Sequence, residues 1–211
     1  MAREYSEYFT VKKRDLDEFT EKRSRFIGYI SPVTDEKQAV DFINEIKSKH
    51  WDAKHNVYAY VLRDGQIRRY SDDGEPQGTA GIPVLDVLLK ENLTDCAVVV
   101  TRYFGGILLG GGGLVRAYSH AASLAVKKSG IVKMCLFSVC KTKLDYTLYG
   151  KLPSLIVEYG GSVEDTVFEA DVTVTFKIPN NMLDKFIKDY KDLSLGKGVV
   201  TVTEEAYSEA L

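Results

Sequence analysis

Long apolar runs are missing from this sequence, and so are paired cysteines, abundant histidine and any strong excess of one charge. The longest apolar stretches, such as Cys96-Ala97-Val98-Val99-Val100, fall far short of the ~20 residues a membrane-spanning helix needs, so no membrane partner is expected. Met1-Ala2-Arg3-Glu4-Tyr5 opens the chain without the apolar core of a signal peptide. Three cysteines (Cys96, Cys135, Cys140) are an odd number with no zinc-type spacing, which excludes a disulfide framework and points to reduced thiols. A cytoplasmic location follows as the expectation. Histidine is limited to His50, His55 and His120, and no nucleophile–base relay can be assigned along the chain, because such partners are neighbours in space rather than in sequence. No catalytic residue is therefore assigned. No metal site or cofactor is assigned either.

What remains is an ordinary globular balance, 45% hydrophobic and 27% charged over 211 residues, enough for one large or two small domains. The net charge of −2 says little, but its distribution is uneven. Residues 96–144 carry no acid, while Arg102, Arg116, Lys127, Lys128, Lys133, Lys141 and Lys143 all fall there. From Asp145 onward twelve acids face six bases. Such asymmetry marks either an anion-facing surface or bases that neutralise acids brought near by folding.

Periodicity predicts an α+β chain. Residues 25–33 read as a strand, and a helix follows from Thr34 with Asp35 and Glu36 in its first turn, where carboxylates favour the helix dipole. Residues 56–63 and 66–71 form a hairpin about Asp64-Gly65. A helix led by Pro83 precedes the buried strand 96–101. After a glycine-rich loop, residues 114–128 form a helix that Gly130 ends. A domain boundary is expected near residues 131–134, giving domains 1–132 and 133–211. The second reads as strand (133–144), helix (147–159, with Pro153 inside), strand (163–168), strand (172–178), helix (from Asn180 or Asn181) and strand (198–203). Strict alternation of Val172, Val174, Phe176 and Ile178 with polar residues marks a strand with one buried face. The order β-α-β-β-α-β is the split, ferredoxin-like pattern.

Two stretches could carry chemistry. In Tyr103-Phe104-Gly105-Gly106-Ile107-Leu108-Leu109-Gly110-Gly111-Gly112-Gly113-Leu114, glycines permit positive φ and close backbone approach. Gly105, Gly106, Gly110 and Gly113, with Arg102 and Arg116, are candidates to cradle phosphate or RNA backbone; tight loop packing is the competing reading. Neither a Walker A nor a dinucleotide fingerprint fits. In Ser71-Asp72-Asp73-Gly74-Glu75-Pro76-Gln77-Gly78-Thr79-Ala80-Gly81, three carboxylates fit a Mg²⁺ site, pairing with Arg102 and Arg116, or plain turn chemistry. Tyr58, Tyr60 and Tyr70 beside Arg63, Arg68 and Arg69 suit single-stranded RNA, although tyrosine at alternate strand positions reads first as sheet packing.

These motifs identify a resemblance. His55-Asn56-Val57-Tyr58-Ala59-Tyr60, the run 71–81, Val98-Val99-Val100-Thr101-Arg102-Tyr103-Phe104-Gly105-Gly106, Arg23-Ser24-Arg25-Phe26 and Gly113-Leu114-Val115-Arg116-Ala117-Tyr118 together resemble the IMPACT/YigZ family. The resemblance implies a first domain similar to the second domain of ribosomal protein S five, and a ferredoxin-like second domain similar to the last domain of the translocation elongation factor. It also implies translation-associated regulation under stress, with RNA or the ribosome as partner. A monomeric chain is expected. Arg25, His55, Tyr58, Asp72, Asp73, Glu75 and Thr79 are the motif positions carried over. Two rival expectations stand beside RNA binding: an enzyme or binder acting on a small phosphorylated ligand, and a protein-interaction module.

Overall fold

The computed structural model describes residues 6–210 and divides into two units: residues 8–132, and residues 6–7 with 133–210. Among the described residues no helix is long and apolar enough to cross a membrane.

β1 (Glu7–Val11) leads into the first unit, where Val11 is buried. A five-stranded antiparallel sheet follows in the order β2-β3-β6-β4-β5, made of β2 (Asp15–Glu21), β3 (Ser24–Pro32), β4 (His55–Leu62), β5 (Ile67–Ser71) and β6 (Cys96–Tyr103). β6 is central and covered on both faces, which is why it reads as an unbroken apolar run rather than an alternating one. α1 (Glu36–Lys49) covers one face, placing Ala39, Phe42, Ile43 and Ile46 on Ile27, Tyr29, Ala97 and Val99. Asp35 caps it by accepting from the Gln38 amide. α2 (Gly81–Lys90) and α3 (Gly111–Ser129) cover the other face, over Phe26, Ile30, Val57, Val98 and Val100. α3 lies unusually close to β3: a Cβ on Gly28 would meet the Ala121 carbonyl oxygen at 2.4 Å.

The sequence reading finds α1, the β4–β5 hairpin and β6, but it does not find β1 or β2. It also starts α2 and α3 late, since three glycines belong to the first turn of α3. The hairpin turn is a short 3₁₀ segment with Gly65 at φ 65° and Gln66 at φ 51°.

The second unit runs β7 (Ile131–Leu144), α4 (Tyr146–Tyr149), α5 (Leu152–Glu158), β8 (Ser162–Phe168), β9 (Val172–Pro179), α6 (Leu183–Leu193) and β10 (Val200–Glu209). Its strands run β10-β7-β9-β8, every neighbour antiparallel. This is the expected β-α-β-β-α-β order, with the first helix split so that Pro153 stands at the start of α5, where its missing N–H costs nothing. Cys140, Leu144, Val172, Val174, Phe176 and Ile178 face α5 and α6 and form the core with Leu152, Ile156, Phe186 and Tyr190. β10 extends to Glu209, beyond the expected strand.

Candidate functional site

The acidic loop between β5 and α2 is a set of three carboxylates with three different sets of donors. Asp72 accepts from the Gly78, Ala80 and Gly81 amides at 2.9, 3.1 and 2.8 Å, so it caps the start of α2 from nine residues upstream. Asp73 holds a left-handed backbone (φ 44°). Its carboxylate accepts from Lys47 Nζ and the Asn56 amide, both at 2.7 Å, and its carbonyl accepts from His55 Nδ1 at 2.8 Å. Glu75 is buried, and its Oε1 accepts from Arg102 Nη1 at 2.6 Å and from the Tyr118 hydroxyl at 2.8 Å. His55 Nε2 faces the same oxygen at 3.8 Å. Thr79 donates its hydroxyl to the Pro76 carbonyl and so closes the turn on itself. Among the described residues no group of three His, Cys, Asp or Glu side chains is arranged to hold a metal ion.

Arg102 leaves the end of β6 for the interior. Its side chain is 6% exposed, it lies 5.5 Å over the Phe26 ring and 5.4 Å over Phe104, and its Nε is buried without a hydrogen-bond partner. Burial, reinforced by the Glu75 charge, pushes the Tyr118 hydroxyl well above the ordinary tyrosine range. Tyr118 therefore remains a hydrogen-bond donor. Removing one partner of such a pair strands a charge in low dielectric, at a cost of about 3–5 kcal/mol. The sequence offered a pairing of the acidic loop with Arg102 and Arg116, and the structure forms it between Glu75 and Arg102. Tyr118, which closes the cluster, was missed as a site residue; its spacing two positions after Arg116 was the available signal, because it places the two on different sides of a helix.

The other candidates lie outside this buried knot. Arg116 is exposed on the second turn of α3, and His120 is exposed one turn later, its ring edge-on to Phe19 at 4.7 Å. With Glu21, Lys22 and Gly113 they line a cavity of about 270 Å³. Gly106 and Gly110 have φ of 84° and 72° with open space where a Cβ would project. Gly105 is tightly placed: a Cβ there would fall 2.0 Å from the Arg23 carbonyl oxygen, and its amide donates to Ser24 Oγ at 3.2 Å. Arg25 pairs with Glu18 across β3 and β2, both side chains exposed. Tyr58 stacks on Tyr60 and receives Lys47 over its ring. Arg102 and Arg116, equivalent as sequence candidates, are thus separated: one is enclosed with the carboxylate loop, the other opens to solvent beside the glycines.

The family model described as the Impact N-terminal domain matches residues 22–126, a span that contains the knot and the glycine rim. A second, described as a domain of unknown function (DUF1949), matches residues 142–197. The IMPACT family member YvyE of Bacillus subtilis is 39% identical over 203 residues, 96% of this chain and 94% of its own. The chain belongs to the IMPACT family. The IMPACT family member YigZ of Escherichia coli is 30% identical, covering 87% of this chain and 92% of its own. The IMPACT homolog of Dictyostelium discoideum is 41% identical over 106 residues, 48% of this chain but 29% of its own length. A solved crystal structure of a hypothetical protein superposes with TM-score 0.61 at 27% identity, covering 95% of this chain and 98% of that one. In IMPACT terms, then, the knot and the rim belong to the domain that names the family.

Proposed function

We propose that this IMPACT family member is a translation-associated regulatory protein that binds RNA, free or on the ribosome, through the rim of its first unit. The observation that carries the reading is the exposed Arg116, without a carboxylate partner among the described residues, beside the open glycine N-terminus of α3. The Gly110–Gly113 segment offers main-chain amides with little side-chain obstruction, and the helix dipole adds partial positive charge there. Lys22 contributes a second cation to the same cavity. Arg102 has a different part: paired with Glu75, it fixes the root of the glycine loop against the acidic loop.

Gel-shift titration of a fluorescent single-stranded RNA at ~50 mM salt is expected to show binding that weakens steeply with added salt. Arg116→Glu is expected to reduce that affinity at least tenfold. Wild-type protein that shows no affinity for RNA or ribosomes at this salt would end the proposal.

A second reading has its own support. Phe104, Ile107 and Leu108 are 45%, 41% and 81% exposed on the same loop, and apolar exposure of this kind suits a protein partner. Partners captured after nuclease treatment, and lost on Leu108→Asp, would favour it. The enzyme reading has less to stand on. Asp72, Asp73 and Glu75 point to different donors, and none lines the cavity.

A further inference from the structure

The second unit carries a hollow that the first does not explain. Because β7 alternates, Cys140, Thr142 and Leu144 turn toward α5 and α6 while Lys141 and Lys143 turn to the uncovered face of the sheet. Lys141 stands opposite Thr201 of β10 and Thr175 of β9, and Lys143 opposite Thr173. Directly opposed residues share a face, so Thr173, Thr175 and Thr201 stand on the same face as Lys141 and Lys143. The segment before β10 closes the far side. Thr142 Oγ1 donates to the Val199 carbonyl at 2.8 Å, and the Gly198 amide donates to Ser194 Oγ at 3.0 Å. Gly198 packs so tightly that a Cβ would meet the Tyr190 ring at 2.6 Å. Lys197, next in the chain, lines the same hollow. The result is an open hollow of about 620 Å³ lined by Lys141, Lys143 and Lys197 with Thr173, Thr201 and Thr203, and at its edge by Val199 and the buried Thr142, without a carboxylate in its wall.

Only Lys143 of the three has an acidic partner among the described residues, Asp171 at 3.1 Å. Other acids share this face of the sheet without entering the wall of the hollow: Glu164 is paired with Lys177 at 3.2 Å, Asp165 stands opposite Thr175 and Glu204 opposite Val139, while Asp184, Asp189 and Asp192 are on α6, which packs on the opposite face. Lys141 and Lys143, two residues apart on one strand, are separated by about 7 Å, a spacing that lets successive backbone phosphates be met in turn. No aromatic ring lines the hollow, which leaves backbone contact rather than base stacking as the available mode.

We infer that this hollow is a second anion-binding surface, and that its ligand is the phosphate backbone of single-stranded RNA. The inference rests on the proposed RNA binding for the identity of the ligand, but not for the site. The test is the salt dependence of binding of the full chain to a fluorescein-labelled uridine 20-mer, with far-UV circular dichroism and thermal melting to check the fold. Removing two phosphate contacts lowers the slope of log affinity against log salt by about 1.4 for a single strand. Lys141→Gln with Lys197→Gln is expected to produce that loss. Lys151→Gln with Lys188→Gln, an equal change of net charge away from the hollow, is expected to leave the slope unchanged. An unchanged slope in the first double variant, with wild-type binding present, overturns the inference. So does displacement of the oligomer by polyglutamate at equal charge concentration, which would assign the hollow to acidic protein. Loss confined to Arg116→Glu would leave the rim proposal standing and this one fallen; loss confined to the lysine pair would do the reverse. Absence of any wild-type binding removes both.

Discussion

Arg102 and Arg116 flank one glycine-rich stretch, and the fold uses them in opposite ways. Arg102 is enclosed, bonded to Glu75 and covered by Phe26 and Phe104. Arg116 stands in water at the mouth of a cavity. The difference teaches that a charged motif residue is informative about binding only once its burial is known. An enclosed guanidinium secures architecture; an open one offers charge to a ligand.

The sharpest way to break this comparison is to remove the enclosed partner. Glu75→Ala should cost about 3–5 kcal/mol in urea unfolding, because Arg102 is then left buried and uncompensated. Replacing both at once, Glu75→Leu with Arg102→Met, should recover most of that loss, since a well-packed apolar pair carries no desolvation penalty. A single-variant cost below ~1 kcal/mol would mean that the pair behaves as a surface contact, and the contrast would vanish.

A smaller effect concerns His50, another enclosed polar group. Its Nε2 is 2.6 Å from the Tyr29 hydroxyl and its Nδ1 is 2.9 Å from the Tyr103 hydroxyl, which donates onward to Asp52 at 2.9 Å. That direction of donation leaves Nδ1 as the protonated nitrogen and Nε2 as the acceptor of a neutral ring. Burial, with Lys49 next, lowers the His50 pKa below the usual histidine value. The unfolded chain therefore takes up a proton first as pH falls, so stability should decline as pH drops below about 6.5 and level off once the folded ring also titrates. Melting temperatures across pH 5 to 8 should show this slope, and His50→Gln should flatten it. The smallest effect belongs to the open group: Arg116→Glu should change stability by no more than about 0.5 kcal/mol, whatever it does to RNA affinity.

Much of the fold could be read from side-chain spacing. β9 alternates in sequence and in burial alike, and α1 was legible too, although Asp35, expected in its first turn, is instead its N-cap. Other elements were hidden for physical reasons. β2 offers only Leu16 and Phe19 as apolar residues, because it is an edge strand with one partner, so most of its side chains meet water. The start of α3 was hidden by Gly111, Gly112 and Gly113, which local propensity counts against a helix and tertiary packing overrides. The cap of α2 comes from Asp72, too far upstream for any local rule. At the candidate site, the carboxylates and arginines were visible as residue types. Which arginine would be drawn inside depends on the pairing of β3 and β4 with β6. That is a property of the sheet, not of the motif.

Gly105 has a consequence for the rim as a whole. With the Arg23 carbonyl pressed against the place a side chain would occupy, the β2–β3 turn and the root of the glycine loop are butted together without a spacer. The entrance they frame inherits its width from this abutment. Adding a single methyl group there would jack the gate apart at its hinge, while at Gly106 and Gly110 space is open and it is the positive φ, not a neighbour, that reserves the position for glycine.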